Sequence, residues 1–489
     1  MLRTRKLIGA AGACLLVAVP LAVPLAFVTA GASSAQTAAT APIPVAPAAY
    51  PDGVPASASE IKLSFAPLVK TSAPAVVNVY AARKLVARSP FQGDPFFEQF
   101  FGQRLQQRPR IESSLGSGVI VDATGLIVTN NHVIKDADEV KVALADGREF
   151  PSRILMKDER ADLAVLKIDS TEAFPALPLA DSDEIEIGDL VLAIGNPFGI
   201  GQTVTNGIVS ALARTHIGVN DFGYFIQTDA PINPGNSGGA LIDMRGELVG
   251  VNTAIYSRSG GSNGIGFAIP SNMVRVFVDA ARNGGRFERP FIGATFAQVT
   301  PDIAEAVGLD RPAGSLVESL YSGGPADAAG LEAGDVVLAI DGFAIGNPDT
   351  LGYRLATAGI GKSVALDVNR NGETKSLQLA LAAPPETPAR DVRRIAGETP
   401  FSGATVANLS PRMADELDMT QTLTGVVVTG VGPRSFAGRF GLQPKDIVVT
   451  VNGRAVRTTA DLERLAADGR RGWVIEVERD GKRLTQRVR

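Results

Sequence analysis

The C-terminal part of this sequence is written twice, and that repeat limits the possible folds more than any other feature. Phe291-Ile-Gly-Ala-Thr-Phe-Ala-Gln-Val-Thr-Pro301 returns as Phe401-Ser-Gly-Ala-Thr-Val-Ala-Asn-Leu-Ser-Pro411. Gly330-Leu-Glu-Ala-Gly-Asp-Val-Val-Leu-Ala-Ile-Asp-Gly342 returns as Gly441-Leu-Gln-Pro-Lys-Asp-Ile-Val-Val-Thr-Val-Asn-Gly453. Stretches that recur in one order at nearly one spacing mark two copies of a single folding unit. Each copy runs to about 95 residues, the size of an independent small domain. The copies fall at 286–384 and 400–489, with a connecting stretch at 385–399 that the proline-rich Ala382–Pro388 introduces. A chain of 489 residues has room for about three domains, so one more is expected upstream.

That upstream region, 61–285, is built of short β-branched runs separated by Gly, Asp and Asn: Val76–Val79, Val119–Val121, Leu126–Val128, Val140–Val142, Leu163–Ile168, Leu190–Ile194 and Leu248–Val251. Many short strands at close spacing predict a mostly β domain, a barrel or a sandwich. Ser271 is expected to cap a helix in which Met273, Phe277 and Ala281 recur every fourth residue, and Gly284-Gly285 to stop it.

The N-terminus reads differently. Met1–Lys6 carries Arg3, Arg5 and Lys6, and Leu7–Ala30 is uncharged and mostly apolar. Residues 1–35 read as a signal peptide cut after Ala35; an uncleaved membrane anchor is the competing reading, and Pro20, Pro24 and the small residues downstream favour cleavage. Residues 36–60 are Ala/Pro/Ser-rich, the composition of a flexible linker. Cys14 is the one cysteine and lies in the apolar run, which excludes a disulfide framework or a thiol nucleophile from the rest. With only 2 His, a Cys/His metal site is not expected, nor any cofactor, and a net charge of −4 gives no footprint for nucleic acid.

Gly235-Asn-Ser-Gly-Gly239 is the sharpest local signal. A serine between glycines on a tight loop exposes its hydroxyl and brings backbone N–H groups toward one point; an oxyanion hole is expected over Gly235, Asn236 and Ser237. A serine needs a base, usually a histidine held by a carboxylate. His132 follows a strand–turn–strand pattern at a strand end, whereas His216 sits in a polar loop and reads as a solvated residue. Asp162 opens the apolar run Leu163–Leu166; Asp181, Asp183 and Asp229 are its rivals as the carboxylate. The order His132, Asp162, Ser237 is that of chymotrypsin-type enzymes.

Thr129-Asn-Asn-His-Val133, Asp162-Leu-Ala-Val-Leu-Lys167, Ala193-Ile-Gly-Asn-Pro-Phe-Gly199, Gly235-Asn-Ser-Gly-Gly239 and Gly264-Ile-Gly-Phe-Ala-Ile-Pro270 together closely resemble the motifs of the HtrA/DegP family of serine endoproteases, over about Ile61 to Arg489. The resemblance implies a chymotrypsin-like double β-barrel followed by two PDZ domains, small α+β, partly open barrels. It implies His132 as general base, Asp162 as its orienting partner and Ser237 as nucleophile. It also implies that 196–202, 229–234 and 256–263 are activation loops.

No acidic residue stands just before Gly235, so a basic specificity is not expected; the family cuts after small aliphatic residues in unfolded chains, and Ile255 and Ile265 are the candidate pocket walls. The repeats would bind peptide C-termini, at Phe291, Ile292, Gly293 and Ala294 in the first copy. The second copy has Ser402 in place of Ile292, so the first is expected to bind better. Ser89–Phe101 holds five phenylalanines in thirteen residues, an expected contact surface, and in the family the matching loop helps build trimers into larger assemblies, so a homotrimer or a multiple of it is expected. The expected function is ATP-independent degradation of unfolded or damaged proteins in the periplasm, with peripheral membrane contact left open. The alternatives are a scaffold that holds unfolded clients without cutting, or a regulatory protease cleaving a membrane-bound signalling protein.

Overall fold

The computed structural model describes residues 64–85, 110–196, 201–214, 224–233, 235–255, 262–417, 419, 424–468 and 472–488. The expected signal segment, His216 and the phenylalanine-rich Ser89–Phe101 lie outside the described residues.

Twelve strands close into two antiparallel barrels. The first holds β1 (Val76–Leu85), β2 (Arg110–Asp122), β3 (Leu126–Thr129), β4 (Glu139–Ala143), β5 (Glu149–Asp158) and β6 (Leu163–Ile168), in the order β1-β2-β3-β6-β5-β4. The second holds β7 (Leu190–Gly195), β8 (Thr203–Arg214), β9 (Phe225–Thr228), β10 (Ala240–Ile242), β11 (Leu248–Ile255) and β12 (Gly266–Pro270), in the order β10-β11-β12-β9-β8-β7. Each of the seven expected runs lies inside one of these strands. β4 alternates buried Val140 and Val142 with exposed Glu139 and Lys141, the period-two signature of one wet face. β6 is buried nearly throughout because the helix Ser271–Arg282 packs on it, and Met273, Phe277 and Ala281 all join that core. The expected cap is corrected: Pro270 is the N-cap, and the Ser271 hydroxyl instead donates to the Ala180 carbonyl at 2.9 Å.

The two repeats form two sheets of matching order. The first joins β13 (Ala294–Gln298), β14 (Ser315–Leu320), β15 (Val336–Ile340), β16 (Phe343–Ala344), β17 (Ser363–Arg370) and β18 (Glu373–Ala380), with β13 at its edge. The second joins β19 (Arg393–Arg394), β20 (Ala404–Leu409), β21 (Gly425–Val431), β22 (Ile447–Val451), β23 (Arg454–Ala455), β24 (Trp473–Arg479) and β25 (Lys482–Val488). β20 is the counterpart of β13, but it is not an edge, because β19 covers it. Arginines on buried aspartates repeat too: Arg370 chelates Asp335 at 2.7 Å, and Arg479 chelates Asp446 at 2.6 and 2.7 Å. Both guanidiniums are held above their usual value, first by these hydrogen bonds.

The first repeat docks on the barrels through the helix Pro348–Ala358. Tyr353, 1% exposed, stacks on Tyr224 with centroids 3.8 Å apart, and Arg354 pairs with Asp183 at 2.6 Å.

Candidate active site

Asp162 is placed by backbone geometry before any side chain is considered. It sits at the tight β5–β6 connection with φ +52°, a left-handed conformation that Asp tolerates better than most residues. Its carbonyl accepts from Asn131 N–H at 3.1 Å and from Asn130 Nδ2 at 3.0 Å, which ties the β3 exit to this turn. His132 lies in that exit, on the single helical turn Asn131–Ile134 rather than on a strand end.

Three donors converge on the buried Asp162 carboxylate. His132 N–H reaches Oδ1 at 3.0 Å, His132 Nδ1 lies 2.8 Å from Oδ2, and Thr253 Oγ1 donates to Oδ2 at 2.7 Å. A neutral ring that directs Nδ1–H at the carboxylate leaves the lone pair on Nε2, and the His132 side chain is half-exposed. Asp181 accepts from Asn272, Asp183 pairs with Arg354, and Asp229 accepts from Ile208 N–H; none of these rivals reaches His132.

Ser237 comes from the other barrel, on the loop between β9 and β10. Ser117 of β2 clasps that loop: its N–H donates to the Ser237 carbonyl at 2.8 Å and its hydroxyl to the Gly235 carbonyl at 2.6 Å, while the hydroxyl also accepts Asn196 N–H at 2.8 Å. Thr129 Oγ1 donates to the Ser117 carbonyl at 2.7 Å. Gly238 is obligatory here, with φ +82° and a Cβ that would lie 2.1 Å from the Ser117 carbonyl oxygen. Asn236 N–H donates to the Asn233 carbonyl and Gly238 N–H to the Asn252 carbonyl, whereas the N–H groups of Gly235 and Ser237 donate to nothing among the described residues. The Ser237 hydroxyl donates to the Thr253 carbonyl at 3.1 Å, and no hydrogen bond joins it to His132 among the described residues.

Ser117 and Thr253 escape a reading of the sequence, since a buried Ser or Thr in a strand carries no local mark. Thr253→Val is expected to lower kcat about 10- to 100-fold at constant KM, from loss of a hydrogen bond to a charged acceptor. Steady-state kinetics checks this; an unchanged kcat would reduce Thr253 to packing.

Of the expected pocket walls, Ile265 is half-buried against the core, and Ile255 ends β11 with its side chain outside the described residues. Phe291 and Ile292 are buried, and with Gly293 and Ala294 they line a groove between β13 and the helix Pro348–Ala358. No group of three or more His, Cys, Asp or Glu side chains that could hold a metal ion occurs among the described residues.

Residues 116–251 match the trypsin-like peptidase domain, and 290–381 and 427–479 each match a PDZ domain. Two barrels, a loop serine and this pair of modules define a trypsin-like serine endopeptidase carrying tandem PDZ domains. The chain is 38% identical over 438 residues to a probable periplasmic serine endoprotease DegP-like of Pseudomonas fluorescens, covering 84% of this chain and 90% of that one. It is 37% identical over 378 residues to the periplasmic serine endoprotease DegP of Escherichia coli, covering 77% of each. The solved HtrA-type protease AlgW with decapeptide matches at 45% identity with a TM-score of 0.52, covering 66% of this chain and 99% of that one. The chain belongs to the HtrA/DegP family of serine endoproteases.

Proposed function

We propose that this protease degrades unfolded or damaged polypeptides by an acyl-enzyme route that uses His132, Asp162 and Ser237. The convergence of three donors on Asp162 carries the reading, since it fixes the tautomer a general base needs. Catalysis begins when the Ser237 hydroxyl turns from the Thr253 carbonyl toward His132 Nε2. Nε2 takes its proton as Oγ attacks the scissile carbonyl. The oxyanion is held by the otherwise unspent N–H groups of Gly235 and Ser237, each worth roughly 3–4 kcal/mol in the transition state. Asn236 N–H is spent on Asn233, so Asn236 contributes by holding the turn. His132 then passes the proton to the leaving amine as the C–N bond breaks, and water, activated by the same nitrogen, releases the acyl group.

The relatives named periplasmic, together with the basic and then apolar N-terminus, support a periplasmic enzyme released by cleavage after Ala35. No helix among the described residues is long and apolar enough to cross a membrane. Substrate C-termini would be captured by the first PDZ module at Phe291–Ala294, Ile255 and Ile265 would wall the specificity pocket, and Ser89–Phe101 would help build trimers into larger assemblies. The test is a digest of reduced lysozyme beside the disulfide-intact protein, using enzyme from a periplasmic fraction whose N-terminus is sequenced. Cleavage of the reduced form alone by a chain starting at Gln36 is expected. Binding without cleavage would leave a scaffold, and retention of 1–35 an anchored enzyme.

A further inference from the structure

The two PDZ modules differ at the place where a ligand would sit. In the first, β13 is a free sheet edge, and the N–H groups of Ile292 and Gly293 donate to nothing among the described residues. That is the state of a site ready for strand addition, with a backbone nest for a terminal carboxylate. In the second, the chain supplies its own added strand. β19 runs antiparallel to β20, with Arg393 opposite Val406 and Arg394 opposite Thr405. Asn408 N–H donates to the Arg390 carbonyl at 2.7 Å, and Ile395 N–H to the Ala404 carbonyl at 2.9 Å.

The loop donors are spent as well. Gly403, the counterpart of Gly293, donates its N–H to the Ile395 carbonyl at 2.9 Å, and Ser402, the counterpart of Ile292, to the Thr399 carbonyl at 3.0 Å. The Ser402 hydroxyl donates to the Gly397 carbonyl, closing the loop over the segment. The Ile395 side chain is 3% exposed and packs among Phe401, Ala404, Leu462, Leu465 and Ala466, between β20 and the helix Thr459–Ala467. Arg393 pairs with Glu463 of that helix at 2.5 Å, and Asp391 accepts from the Thr459 hydroxyl.

We propose that residues 390–397 are a built-in ligand of the second PDZ groove, with Ile395 standing where a peptide's last side chain and carboxylate would lie. Peptide C-termini then enter the first module only, and the second is closed to them while this segment is seated. The proposal rests on the reading of the modules as C-terminus binders.

The test uses the full chain carrying Ser237→Ala and a fluorescein-labelled peptide with the sequence of residues 388–395, ending in a free isoleucine carboxylate. Titration of the parent is expected to give one peptide per chain, and Ile395→Gly, which empties the pocket, two. Hydrogen exchange on the parent is expected to show the Ile395 and Gly403 amides protected and unchanged by saturating peptide. Two peptides per parent chain, one per folded Ile395→Gly chain, or rapid exchange at both amides would overturn the proposal. Binding to neither protein would refute C-terminus capture itself, and the exchange of the two amides would still decide whether the segment is seated.

Discussion

Ser237→Ala is expected to lower turnover of unfolded casein by around six orders of magnitude while leaving the fold intact. The loop does not depend on the lost hydroxyl: Ser117 holds it through the carbonyls of Ser237 and Gly235, which alanine leaves in place. The one contact removed is the bond to the Thr253 carbonyl, and its loss costs about 1 kcal/mol. The neighbouring hydroxyls of Ser117, Thr129 and Thr253 are each turned to another acceptor, the Gly235 carbonyl, the Ser117 carbonyl and the Asp162 carboxylate, so none is placed to substitute for the nucleophile. Steady-state rates beside a thermal melt check both halves. A residual rate within tenfold of the parent would mean that a different group attacks.

Asp162→Asn is expected to cost about four orders of magnitude in kcat with KM nearly unchanged. Asparagine suits the comparison because it tolerates the same left-handed backbone at φ +52°, so the turn that presents it survives. The carboxylate receives His132 N–H, His132 Nδ1–H and the Thr253 hydroxyl on two oxygens. An amide offers one oxygen and two hydrogens, so a hydrogen must face either the ring or Thr253. Facing the ring, it demands the Nδ1 lone pair and moves the ring proton to Nε2, where no proton can then be taken from Ser237. Alanine at 162 would mix this effect with backbone strain. A fall in kcat of less than tenfold would show that Asp162 does not set the tautomer.

How much could be read in advance depended on whether a residue's role is local. The repeat, the seven strand runs and the helix marked by Met273, Phe277 and Ala281 are properties of neighbouring residues, and each lies where its pattern places it. The proposed triad of His132, Asp162 and Ser237 could be singled out because two histidines leave little choice and chain order does the rest. Ser117 and Thr253 were not: their partners lie 118 and 91 residues away, and only closure of the barrels brings them together. Tyr353 likewise reads as an ordinary helix residue until Tyr224 stacks on it. β19 was missed for another reason. Two arginines after a proline-rich stretch have the composition of a linker, and they become a strand only because β20 has an open edge at that register.

The proposed base and carboxylate belong to one barrel, the proposed nucleophile and Thr253 to the other, and the sequence completes the first barrel before it begins the second. A molecule caught partway through folding therefore has an imidazole with nothing to activate, or a serine with no base. An enzyme whose proposed prey is unfolded chains spends its own early life as one. Dividing the machinery across the barrel seam delays its hydrolytic power until the molecule is no longer prey to its own kind.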